Sequence, residues 1–132
     1  MTIGQLHKLF LAHPTACTDT RKITKNCIFF ALKGENFNGN SFAEQALERG
    51  AAYAVVDEAQ YADNHKTILV SKVLETLQEL ASYHRNYCTA RVIALTGSNG
   101  KTTTKELIYE VLAKKYRTIA TSGNLNLSLI HI

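Results

Sequence analysis

The stretch Val92-Ile93-Ala94-Leu95-Thr96-Gly97-Ser98-Asn99-Gly100-Lys101-Thr102-Thr103-Thr104 decides the fold. Four apolar residues read as a short buried strand, and the chain then changes abruptly to glycine and hydroxyl side chains. Gly97 and Gly100 lack Cβ, so the backbone can turn through conformations closed to other residues and aim its N–H groups inward at an anion. Lys101 supplies a positive charge for the β and γ phosphates, and Thr102 or Thr103 offers a hydroxyl to Mg2+. Beyond the loop, Leu107, Ile108, Val111 and Leu112 recur at helical spacing, which would turn the orphan N–H groups of a helix N-terminus toward the same anion. Strand, glycine loop and helix together read as an α/β phosphate-binding unit. Its contacts are Gly97, Ser98, Asn99, Gly100, Lys101, Thr102 and Thr103, and its implied cofactors are ATP and Mg2+. The full Walker pattern wants a glycine where this chain has Leu95, so only the shorter Gly-x-x-Gly-Lys-Thr form is present; an ordinary glycine turn with a surface lysine is the alternative.

Working outward, Cys27 to Leu32, Ala52 to Val56 and Thr67 to Val70 are apolar runs of strand length. Between the first two, residues 42–49 read as a helix stopped by Gly50, and a second helix is expected over residues 73–85 with Val73, Leu74, Leu77, Leu80 and Ala81 on its buried side. Strand, helix, strand implies a crossover within a mixed or parallel sheet. Residues 1–88 therefore read as a small mixed-sheet domain, and residues 89–132 as the first strand, phosphate loop and helix of a second, incomplete ATP-binding domain. One strand and one helix cannot cover both faces of a parallel sheet, so the chain reads as the amino-terminal part of something larger.

Composition fits a folded, water-soluble chain: 132 residues, 45% hydrophobic and 20% charged. The start Met1 to Lys8 lacks a basic segment followed by a long apolar run, so no secretory signal is expected and a cytoplasmic location follows, without membrane insertion. The net charge of +4 is uneven: residues 1–88 carry nine basic and nine acidic side chains, residues 89–132 six against two. The excess travels with the phosphate loop, although Lys114, Lys115 and Arg117 also suit a helix end, and without aromatic interleaving nucleic acid is not an expected partner. Cys17, Cys27 and Cys88 are too widely spaced for a zinc site or disulfide framework and read as free thiols; His7, His13, His65 and His84 show no ligand spacing. Tyr53 and Phe37 read as packing residues rather than base-stacking platforms.

Four stretches carry a resemblance: residues 18–21 (Thr-Asp-Thr-Arg), residues 28–42 (Ile-Phe-Phe-Ala-Leu-Lys-Gly-Glu-Asn-Phe-Asn-Gly-Asn-Ser-Phe), residues 50–56 and residues 96–106. In this order, across nearly the whole chain, they resemble the Mur ligases of bacterial cell-wall synthesis. Residues 29–34 and 102–106 are most similar to the branch that adds D-alanyl-D-alanine to UDP-N-acetylmuramoyl-tripeptide. A ligase of the tripeptide-forming branch, or a non-enzymatic module that binds only the UDP-muramyl peptide, is the alternative. The resemblance implies a three-domain enzyme, monomeric when complete. It makes an acyl phosphate from the substrate carboxylate and ATP, and the dipeptide amine then displaces the phosphate. Lys101 would be the catalytic cation and Thr102 or Thr103 the metal contact.

The same resemblance places Thr20, Arg21, Lys33, Gly34 and Asn40 at the UDP end of the substrate, and Asn124 and Asn126 in an active-site loop. The residues alone leave another reading open, in which Asp19 caps a turn, Arg21 pairs with it, and Asn38-Gly39 is a tight turn. Residues 127–132 depart from the family pattern, and the 132 residues alone are expected to be catalytically inert and, with an unfinished sheet edge, prone to association.

Overall fold

The computed structural model describes residues 1–121, which divide into two units, Met1–Cys88 and a second beginning at Thr89. In the first unit, β1 (Ala16–Cys17), β2 (Ile28–Phe30), β5 (Tyr53–Val56) and β6 (Thr67–Leu69) form a four-stranded sheet in that order. All its neighbours run parallel, with Phe29 opposite Ala54 and Val55 opposite Ile68. Antiparallel pairing is confined to a separate two-stranded ribbon of β3 (Lys33–Gly34) and β4 (Phe37–Asn38), which follows β2 directly.

The central strands are buried on both faces, so they read as continuous apolar runs. Alternate residues nevertheless serve different cores. Phe29, Ala31, Ala54 and Val56 face α2 (Ala43–Glu48) through Ala43 and Ala46, while Ile28, Phe30, Val55 and Ile68 face Leu6 of α1 (Ile3–Ala12) and Val73, Leu77 and Leu80 of α3 (Val73–Tyr87). Gly50, with φ 103°, ends the α2 segment by donating its N–H to Leu47. Leu74, expected on the buried side of α3, is instead 49% exposed, because Val73 begins the helix facing the sheet and the next residue is rotated by about 100° away from it.

Helix α1 was not anticipated from the sequence. Its start is a capping box: the Thr2 hydroxyl accepts from the Gln5 N–H while the Gln5 side chain accepts from the Thr2 N–H.

In the second unit, α4 (Lys101–Ala113) follows the glycine loop as expected. The preceding run Val92–Leu95 forms no ladder, and Val92 and Ile93 are exposed. A strand exists only by pairing, and no other strand occurs among the described residues of this unit. For the same reason the helix face expected to be buried is only partly covered: Leu107 and Val111 are largely exposed, while Ile108 and Leu112 are half-buried. Asn124, Asn126 and residues 127–132 lie outside the described residues.

Candidate functional sites on two units

The segments leaving the carboxyl ends of β1, β2 and β5 gather the polar side chains of the first unit. In open parallel sheets this end is where ligands bind, because strands stop there and loops diverge. After β1, Asp19 accepts from the Arg21 N–H at 2.9 Å and caps a short 3-10 turn, Thr20–Lys22. The Arg21 guanidinium also donates to both Asp19 oxygens, Nε to Oδ1 at 3.0 Å and Nη2 to Oδ2 at 2.8 Å. These bonds hold the Asp19 carboxyl down at about 2. The Arg21 side chain is 85% exposed, so its outer face is open to solvent, while Arg49 holds the loop by donating to the Thr20 carbonyl.

After β2, the ribbon is tied to the end of β5 by a part-buried polar network. Lys33 Nζ lies 2.9 Å from both Asp57 Oδ1 and Glu58 Oε1. Asn38, its cross-strand partner, donates to the same Glu58 oxygen at 3.0 Å. Asn40 is fully buried. Its Nδ2 donates to Asn38 Oδ1 and Asp57 Oδ1, both at 2.9 Å, and its Oδ1 accepts from the Asp57 N–H at 2.9 Å. Both amide hydrogens are thus committed within the protein. Burial alone would raise the Asp57 carboxyl, but bonds from Lys33, Asn40 and the Val73 N–H outweigh it and hold it below the usual range. Glu58 is held down chiefly by Lys33, and Lys33 is raised in turn by Glu58 and Asp57. Gly39 completes the turn: a Cβ there would sit 2.2 Å from the Leu32 carbonyl oxygen, the atom that its own N–H binds at 3.0 Å.

Asp57, Glu58, Asn38 and Arg49 were not anticipated from the sequence. One signal was available, since Asp57-Glu58 follows the strand run Tyr53–Val56 directly and so falls at the carboxyl edge of a parallel sheet. Two concavities of this unit, of about 500 and 840 Å³, lie away from the network, one lined by Thr2, Leu6, Val70 and Glu79 and the other by His13, Lys25, Tyr53 and Lys66. Tyr53 packs against the core, whereas Phe37, expected to do likewise, is 56% exposed.

In the second unit, Gly97 and Gly100 both adopt positive φ, 149° and 76°, and Gly100 precedes α4 as its N-cap without any side-chain cap. Lys101 Nζ folds back onto the loop, donating to the carbonyl oxygens of Gly97 and Ser98. Glycines at these two angles, an uncapped helix N-terminus and an ammonium resting on loop carbonyls fit a phosphate chain, which would offer stronger acceptors to the same donors. Thr102 and Thr103 occupy the first turn of α4 on the exposed surface. Among the described residues no group of three or more His, Cys, Asp or Glu could hold a metal, the three cysteines are free, and no helix is long and apolar enough to cross a membrane.

Residues 16–85, more than half of the chain, match the Mur ligase family, catalytic domain, and residues 95–130 match the Mur ligase middle domain. The chain belongs to the Mur ligase family. Among its curated Mur relatives, the UDP-N-acetylmuramoyl-tripeptide–D-alanyl-D-alanine ligases of Bacillus subtilis and Escherichia coli are 48% and 41% identical, over 94% and 93% of this chain. The chain spans only 29% and 27% of their respective lengths. Among solved Mur structures, the MurF ligase of Thermotoga maritima in complex with ADP superposes with a TM-score of 0.69 at 31% identity, covering 85% of this chain and 26% of that one. MurF from Acinetobacter baumannii gives 0.71 at 32% identity, covering 90% and 29%. The sequence resemblance to Mur ligases, and to their MurF-type branch, is thereby borne out.

Proposed function

We propose that this sequence serves an ATP-dependent amide ligase of peptidoglycan precursor synthesis, which joins D-alanyl-D-alanine to UDP-N-acetylmuramoyl-tripeptide. The observation that carries the reading is the 48% identity, across 94% of the chain, to a ligase of that name. In the reaction, the substrate carboxylate attacks the γ phosphorus of ATP and ADP leaves; the dipeptide amine then attacks the acyl carbon, phosphate departs and the amine loses its proton. Mg2+, when bound, would neutralise the phosphate oxygens and hold them in line.

The residues divide between the two units. Lys101 leaves the Gly97 and Ser98 carbonyls to stabilise charge on the transferred phosphoryl group, with the N–H groups of residues 97–103 cradling the phosphates. Thr102 and Thr103 are the candidate hydroxyl ligands for Mg2+. In the first unit, Arg21, next to Thr20, presents the open face of its guanidinium to the diphosphate, and Lys33 and Gly34 begin the ribbon that carries the rest of the UDP site. Asn40 supports that ribbon from beneath, since its amide hydrogens are already spent. The 132 residues alone do not complete the reaction, because they span under a third of a complete relative.

Phosphate release by the complete protein, assayed with UDP-N-acetylmuramoyl-tripeptide plus D-alanyl-D-alanine and with the UDP-muramyl-dipeptide plus a diamino acid, tests this. Release coupled to amide formation with the dipeptide is expected. Turnover of a UDP-muramyl-dipeptide with a diamino acid instead would move the protein to the tripeptide-forming branch, and muramyl-nucleotide binding without ATP turnover would make it a binding module.

A further inference from the structure

We infer that Phe37 is a stacking platform for the base of the substrate nucleotide, an inference that rests on the ligase reading above. A large aromatic side chain that is 56% exposed, in a unit with two well-filled cores, has been kept out of both. It is also held in place. Phe37 pairs across the ribbon with Gly34, and its ring lies directly against that glycine: a Cβ at position 34 would be 2.3 Å from Cε1 and 2.7 Å from Cδ1. One side of the ring is therefore backed by backbone while much of the remainder is open.

The ribbon beneath the ring is fixed at both strands. Lys33 and Asn38, the adjacent cross-strand pair, converge on one oxygen of Glu58, and the Gly39 N–H closes back onto Leu32. A platform anchored this way loses little freedom when a flat group settles on it. Its location also fits, since the ribbon leaves the carboxyl end of β2 in the parallel sheet. The charge pattern selects which part of a nucleotide belongs there. Glu35, exposed in the ribbon turn, disfavours a phosphate beside the ring, whereas Arg21 on the loop after β1 favours one. A neutral, planar base on Phe37 with its diphosphate toward Arg21 satisfies both.

The test is calorimetric titration of the 132-residue chain and its variants with UDP, with UDP-N-acetylmuramoyl-tripeptide, and with 5,6-dihydrouridine diphosphate, whose base is puckered. Phe37→Ala should weaken binding of both uracil ligands by about 5- to 100-fold, the usual range for a lost base–aromatic stack, and Phe37→Tyr should keep it within about 3-fold. Gly34→Ala, which displaces the ring without removing it, should weaken binding in the same direction. The dihydro ligand should bind the wild-type chain more weakly than UDP does, and Phe37→Ala should weaken it little further. Because the ring is exposed, thermal melting of Phe37→Ala should match wild type. Equal binding by wild type and Phe37→Ala, or equal wild-type affinity for UDP and its dihydro form, overturns the platform while leaving the ligase reading intact. A folded wild-type chain that binds none of the three ligands overturns the platform together with the assignment of a UDP site to this unit.

Discussion

Asn40→Ala tests whether the polar network around this buried side chain holds the ribbon onto the sheet. The substitution removes three hydrogen bonds made by one fully buried side chain: two donated by Nδ2, one of them to the Asp57 carboxylate, and one accepted from the Asp57 N–H. A bond to a charged group contributes about 1.5–3 kcal/mol, and a buried donor left without a partner costs about 1–3 kcal/mol. The three are not additive, because Asp57 retains Lys33 and the Val73 N–H; about 3–5 kcal/mol in total is a reasonable sum. A unit of this size is stable by roughly 4–13 kcal/mol, so the loss is a large fraction of the whole. Urea unfolding followed by circular dichroism at pH 7 should show the midpoint falling by about 3–5 M, with a slope near 1 kcal/mol per M. Asn40→Asp should fare as badly, since it faces the Asp57 carboxylate with a second one. A loss below about 1 kcal/mol for Asn40→Ala would refute the reasoning, because water would then be replacing the amide and the ribbon would not depend on it.

Leu77→Ala, at a site 3% exposed, should cost about 2–5 kcal/mol in the same unfolding assay, while Leu74→Ala one turn earlier should stay below about 1 kcal/mol; equal costs would contradict the helix orientation. The carboxyls of Asp57 and Glu58 are held below their unfolded values, so their contribution is fully present above the ordinary carboxylate range and is lost as pH falls through the lowered folded values. An acid titration of stability should therefore decline below about pH 4.5 in the wild-type chain and decline less in Lys33→Met, which starts lower at pH 7; parallel curves would show that Lys33 is not the group depressing them. Lys101→Ala should leave the melting temperature of the chain unchanged, since its ammonium touches only exposed loop carbonyls, yet lower phosphate release by the complete protein by about 10²- to 10³-fold. Retained turnover would remove Lys101 from the chemistry.

How much of this was legible depended on how local the deciding interactions are. The strands at Ile28–Phe30 and Tyr53–Val56 announce themselves, because a strand buried on both faces must be apolar at every position. Helix α1 carries a readable start, Thr2 followed three residues later by Gln5, because a capping box is closed entirely by neighbours in sequence. The network around Asp57 was not legible in the same way. Lys33, Asn38 and Asn40 meet Asp57 and Glu58 across 17 to 25 positions, and nothing in the spacing says that the ribbon folds back over the end of β5. Gly39 and Phe37 show the same limit from opposite sides. A glycine in a turn is ordinary in sequence, yet here a methyl group would strike the Leu32 carbonyl; a phenylalanine between polar residues reads as packing, yet here it faces water.

The phosphate loop presents the converse case, a motif more legible than the structure around it. Its glycine angles, its uncapped helix and the position of Lys101 depend on residues 97–101 alone, so a short sequence suffices to specify them. The strand expected at Val92–Leu95 depends on partners that must lie elsewhere in a sheet, and without a neighbour its N–H and C=O groups form no ladder. A phosphate loop works by holding its donors still against a rigid strand and helix. Val92, Ile93, Leu107 and Val111 are all exposed, so among the described residues no sheet packs behind the loop to brace it. The consequence is measurable: Mg-ATP should bind the 132-residue chain at least about 100-fold more weakly than it binds the complete protein, because preorganisation rather than the list of contacts sets the affinity. Equal ATP affinity in the two would show that the loop is preorganised by its own residues and needs no sheet behind it.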